Sequence, residues 1–171
     1  MIPLCFLDAP TLNVAHTFRV IPDGTTNFSA GIHSMTCVSI GYCENGTPLV
    51  GVIYAPGTKE LYIGVKDHGA YRNGIKIQKN RPAKSLQEAV VCCEFGYARD
   101  KAHVDKILEG ISKIMLTGCR AIRQLGSGCL DLCMVASGRL DVVYAGLASE
   151  GWKVRVCFRM NVCLVCRGNS D

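Results

Sequence analysis

The run Pro22-Asp23-Gly24-Thr25-Thr26-Asn27-Phe28 is the segment of this chain best equipped for chemistry. It sets one carboxylate beside a glycine, whose missing side chain lets a ligand approach the backbone, and follows them with two hydroxyls. If Thr25 and Thr26 open a helix or tight turn, their N–H groups lack partners within it and point outward, which suits a phosphate. Asp23 then stands where a Mg2+ ion could bridge its carboxylate to that phosphate. Asp-Gly-Thr alone also reads as a plain turn with a threonine cap, and only the rest of the sequence separates the two readings.

The elements that must position this segment are legible in the apolar pattern. Residues 36–42, 49–54 and 61–65 read as three strands, and the turn pairs Asn45-Gly46 and Pro56-Gly57 between them predict an antiparallel meander. Residues 89–95 are apolar almost throughout, as a strand buried on both faces would be. The period then changes: Val104, Ile107, Leu108, Ile111 and Ile114 form one stripe of a helix whose other face carries Lys101, Asp105, Lys106 and Glu109. A short strand over 121–125 and a helix over 127–137 follow, with Ser127 as N-cap and Gly138 where a helix end wants a left-handed residue. Residues 140–144 return to strand. That order predicts a layered α/β or α+β sandwich.

Composition bounds the function classes. With 171 residues, 49% of them apolar, the chain can form one domain with a sizeable core. Its net charge of +5 is spread over Arg72, Lys76, Lys79, Arg81, Lys84 and the C-terminal residues rather than gathered in one basic tract, so no nucleic-acid partner is expected. No apolar run approaches the ~20 residues that cross a bilayer, so no membrane partner is expected either. Residues 1–7 lack a basic start and end at Asp8, too short for a signal peptide, and a cytoplasmic chain is expected. The eleven cysteines are then reduced thiols, with the Cys92–Cys93 and Cys129–Cys133 pairs serving as small core hydrophobes.

The string Asp23-Gly24-Thr25-Thr26-Asn27-Phe28 resembles the signature of the inositol monophosphatase family, Asp-Pro-Ile/Val-Asp-Gly-Thr-Thr-Asn-Phe. Ser39-Ile40-Gly41, Gly51-Val52-Ile53-Tyr54, Gly69-Ala70-Tyr71-Arg72-Asn73-Gly74, Gly126-Ser127-Gly128 and Asp141-Val142-Val143-Tyr144 follow in the family's order, so the resemblance covers residues 23–152. It implies a sugar-phosphatase-like stack of alternating helix and sheet layers, incomplete here, around a Mg2+-dependent phosphomonoester site. On that resemblance Asp23 and the backbone carbonyl of Pro22 are metal ligands, and the amides of Gly24 and Thr25 hold the phosphate. The Thr25 hydroxyl orients the attacking water, Gly126, Ser127 and Gly128 line the site for polyol hydroxyls, and Glu150 contacts a hydroxyl. The implied substrate is inositol monophosphate or a related small polyol phosphate, and the implied assembly is a homodimer.

The chain departs from the family's pattern at its acids. The glutamate of the family's Gly-Glu-Glu has no counterpart before Asp8, the first aspartate of the signature is Val20, and the aspartate of the Trp-Asp pair is Lys153 after Trp152. With Asp23 as the surviving acid, the expectation is hydrolysis reduced by orders of magnitude, or a chain without turnover that acts as a binding or dimerisation partner. Residues 1–22 are read as a degenerate remnant, 23–153 as the partial domain and 154–171 as a divergent cysteine-rich tail, as a shifted reading frame would encode. Cys157, Cys163 and Cys166 lack a nearby fourth ligand for structural zinc. Apolar sheet faces left uncovered by missing helices are expected to lower stability or promote association.

Overall fold

The computed structural model describes residues 16–45, 47–78, 83–95 and 98–145. Six antiparallel strands run as a meander: β1 (His16–Asp23), β2 (Cys37–Glu44), β3 (Thr47–Ala55), β4 (Glu60–Val65), β5 (Gly69–Arg72) and β6 (Ile75–Lys76). A second sheet holds β7 (Val90–Glu94) between β8 (Ala121–Arg123) and β9 (Val142–Ala145), all parallel. The helices are α1 (Thr25–Ser29), α2 (Lys101–Thr117) and α3 (Gly128–Ala136).

The layers follow from which face of each element is apolar. Period-two alternation sends Cys37, Ile53, Ala55 and Tyr62 of the large sheet inward, where they pack on Cys129, Leu130 and Cys133 of α3. The opposite side of α3 places Met134 and Val135 on Cys92 and Val143 of the small sheet. Val91, Cys93 and Val142 face the other way and meet Ile114 of α2. The stack is therefore sheet, helix, sheet, helix, an α/β sandwich of alternating layers. Because α3 is buried between two sheets, its pattern is apolar on both sides. By contrast, α2 covers one sheet and keeps Lys101, Asp105, Glu109 and Lys113 exposed in two i,i+4 ion pairs. The Cys92–Cys93 and Cys129–Cys133 pairs are buried among these layers.

The three expected strands are β2, β3 and β4, and the meander continues through β5 and β6, joined by Asn73-Gly74, both at positive φ as a tight hairpin turn requires. Ser127 caps α3, accepting from the Leu130 N–H, and Gly138 has φ 72° just past its end. The eight residues of β1 pair in continuous register with β2 from His16–Glu44 to Asp23–Cys37. Residues 16–22 are thus the edge strand that delivers Asp23. Their character is hard to read because the outward side chains are apolar: Phe18 and Val20 are 71% and 63% exposed. With Val38, Ile40 and Tyr54 they form an apolar outer face on the large sheet. Among the described residues no helix is long and apolar enough to cross a membrane.

Candidate active site

Asp23 ends β1 and points inward, toward the start of α3. Its Oδ2 accepts the Ser127 hydroxyl at 2.6 Å and the Cys129 N–H at 2.9 Å. The second donor belongs to the first turn of α3, so the carboxylate also meets the positive end of that helix. These two bonds fix the rotamer and leave Oδ1 without a hydrogen-bond partner among the described residues.

Gly24 follows with φ 75° and ψ 33°, a left-handed turn that redirects the chain from β1 into α1. A Cβ there would lie 2.4 Å from the Met35 carbonyl oxygen, so the position needs glycine for both its conformation and its space. Gly24→Ala is expected to cost about 2–4 kcal/mol, combining left-handed strain with forced backbone movement; urea unfolding of the variant measures it. The Gly24 carbonyl accepts the Phe28 N–H at 2.9 Å, which closes the first turn of α1 and leaves the amides of Thr25 and Thr26 ahead of it. Thr25 and Thr26 are exposed, as groups meeting a ligand must be.

Asn27, quoted in the signature but given no role from sequence, ties this corner together. Its Nδ2 donates to the Met35 carbonyl at 3.0 Å and the Leu125 carbonyl at 2.7 Å. Glu94, at the end of β7, supports the same segment from below: its Oε1 accepts the Leu125 and Gly126 N–H groups at 2.8 and 2.9 Å. Gly126 has φ 77°, and a Cβ on it would strike Asn27 Nδ2 at 2.9 Å. Neither role has a local signature, since each joins segments far apart in the chain. A cavity of about 430 Å³ opens beside the corner, lined by Thr26, Asn27, Glu94, Phe95, Arg99 and Gly126 among others.

The structure brings Pro22, Asp23, Gly24, Thr25, Gly126, Ser127 and Gly128 into one corner. Ser127 is fully buried, with its hydroxyl on Asp23 and its oxygen capping α3, so it positions the acid. Ser127→Ala removes both bonds and is expected to cost about 1–2 kcal/mol of stability, checked by chemical denaturation. Glu150, Trp152, Lys153 and the tail over 154–171 lie outside the described residues. Val20 is on the outer face of β1, across the sheet from Asp23, as strand alternation dictates for residues an odd number apart.

The thiols of Cys37 and Cys129 lie near the acid, with ligand atoms of all three within 4.8 Å of one another. The hydrogen bond with Cys129 and then burial push the Cys37 thiol far up, which keeps it protonated. A hard Mg2+ ion takes about six oxygens and disregards such thiols. One carboxylate oxygen, Oδ1 of Asp23, is what the described side chains of this corner offer such an ion.

Comparison with known proteins gives a consistent result. A profile described as "Inositol monophosphatase family" matches residues 22–152. The inositol monophosphatase of Mesembryanthemum crystallinum is 41% identical over 135 residues, covering 77% of this chain and 48% of that protein. The solved structure of inositol monophosphatase from Anabaena (Nostoc) superposes with a TM-score of 0.69 at 33% identity, over 78% of this chain and 53% of that one. An "IMPase/NADP phosphatase complexed with Mg2+ and phosphate" shares the fold, with a TM-score of 0.63 at 22% identity over 81% of this chain and 49% of that one. The chain spans about half the length of the relatives it matches.

Proposed function

Because the chain belongs to the inositol monophosphatase family, we propose that its corner at residues 22–26 grips the phosphate of a small polyol phosphomonoester, inositol monophosphate or a close relative, together with Mg2+. The observation that carries this reading is the geometry of Asp23, held by Ser127 and the Cys129 amide directly ahead of the left-handed Gly24 and the first turn of α1. The amides of Gly24, Thr25 and Thr26 supply the phosphate donors, and the Thr25 hydroxyl orients a water beside them. Oδ1 of Asp23 and the Pro22 carbonyl are the oxygens offered to Mg2+. One protein of the same fold, 22% identical, was solved in complex with Mg2+ and phosphate. The polyol extends into the adjoining cavity beside Gly126 and Glu94.

Turnover in this chain is impaired on the same reading. Mg2+ in such a site polarises the ester and lowers the pKa of a water, and an incomplete ligand set forfeits most of that. The test is thermal unfolding with inorganic phosphate and Mg2+ added singly and together. A melting temperature raised by the pair, and lost in Asp23→Asn, supports the reading. A shift from phosphate that ignores both Mg2+ and Asp23 contradicts it.

A second reading, a binding or dimerisation partner without turnover, draws on the exposed apolar outer face of the large sheet at Phe18, Val20, Ile40 and Tyr54. Sedimentation of wild type against Phe18→Ser tests it: a dimer that dissociates in the variant favours the reading, and a monomer in both opposes it. A cytoplasmic location is proposed with either reading; the described cysteines form no disulfide, as suits a reducing compartment.

A further inference from the structure

Away from the phosphate corner, Asp131 sits in the first turn of α3 with no exposed surface. Neither of its carboxylate oxygens has a hydrogen-bond partner among the described residues. A fully buried carboxylate in that condition is costly, and native structures rarely keep one without a proton, a water or an ion to satisfy it. Two groups beside it are of types that bind metals. Cys92 and Glu94 alternate onto the face of β7 that meets α3, and their ligand atoms and those of Asp131 all lie within 4.8 Å of one another. The Cys92 thiol points at Glu94 Oε1, 3.5 Å away.

We propose that Cys92, Glu94 and Asp131 form a buried site for a borderline-soft divalent cation of the Zn2+ type, separate from the Mg2+ expected at Asp23. One sulfur and two carboxylates within reach of a single point match what such an ion accepts, whereas Mg2+ has no use for the thiol. The ion would satisfy both orphaned oxygens at once. Glu94 also lines the cavity, which provides a way in and an open fourth position for water. Binding displaces the protons of the thiol and of Asp131, so affinity rises with pH. Burial, then Asp131 and Glu94, push the Cys92 thiol far up, and burial and Glu94 raise Asp131 as well; the cation must therefore outcompete those protons. Glu94 at the same time holds the Leu125 and Gly126 amides, so an ion on it stiffens the segment that leads into Ser127.

The test is equilibrium dialysis of the purified chain with Zn2+ in excess Mg2+, paired with Co2+ substitution to detect the thiolate-to-cobalt absorption band. Expected are one equivalent of Zn2+, a Co2+ band lost in Cys92→Ser but kept in Cys37→Ser, and affinity at least tenfold weaker in the near-isosteric Asp131→Asn. Far-UV circular dichroism confirms that each variant folds, and Asp131→Asn decides alone if Cys92→Ser does not. No tight Zn2+ in the wild type, equal affinity in Asp131→Asn, or a band that depends on Cys37 instead of Cys92 would each overturn the proposal.

Discussion

Purified, the chain is expected to hydrolyse inositol 1-phosphate about a thousandfold or more slowly than a relative with its full set of acids. On the proposed reading the left-handed turn at Gly24, the exposed first turn of α1 and the clamped Asp23 bind the phosphate, and the oxygens for the metal fall short. Asp23 spends Oδ2 on Ser127 and Cys129, and position 153 is lysine where the resemblance implies an acid. Mg2+ holds its waters tightly and leaves them only for several well-placed oxygens, so the attacking water keeps a high pKa. Val20→Asp by itself leaves the rate unchanged, because that side chain points to the outer face of β1, away from Asp23. Phosphate release at saturating Mg2+ measures both. A rate within tenfold of the relative's would refute the first expectation, and recovery in Val20→Asp would refute the second.

The second large effect concerns stability. Burial first, then the charge of Glu94, raises the pKa of Asp131 from 3.8 to about 8. The unfolded chain releases this proton near pH 4 and the folded chain holds it to about pH 8. Between those values the unfolded state binds fewer protons, so stability falls as pH rises, having been fully present below about 4. In chelator-treated protein, Asp131→Asn carries no such proton and removes this contribution to the slope. Relative to the wild type it is expected to gain on the order of 2–4 kcal/mol between pH 5 and pH 9. Urea unfolding of both proteins at pH 5, 7 and 9 checks this. Parallel pH dependences would show that Asp131 is ionised in the fold or solvated within it.

How much of this was readable in the sequence depends on whether the determinant is local. The stripe of Val104, Ile107, Ile111 and Ile114 announces α2, Ser127 announces the start of α3, and Pro56-Gly57 closes a hairpin, because each rests on neighbouring residues. The strand β1 was illegible because its register comes from β2, and because Phe18 and Val20 put apolar side chains on the outer face. The corner's motif was legible at Asp23, Gly24 and Thr25, but the groups that orient it were not. A backbone amide such as that of Cys129 leaves no trace in residue type, and Asn27 and Glu94 act on a segment far along the chain. The hydrogen bond from the Ser127 hydroxyl to Asp23 was likewise illegible, since it joins residues far apart in the chain.

The most direct test of the phosphate corner is an amide NMR titration of the labelled chain with inorganic phosphate, with and without Mg2+, in wild type and Asp23→Asn. The largest shifts should fall on the amides of Gly24, Thr25 and Thr26, should grow when Mg2+ is present, and should lose that dependence in Asp23→Asn. Phosphate shifts centred on another surface, or identical in both proteins with and without the ion, would contradict the account.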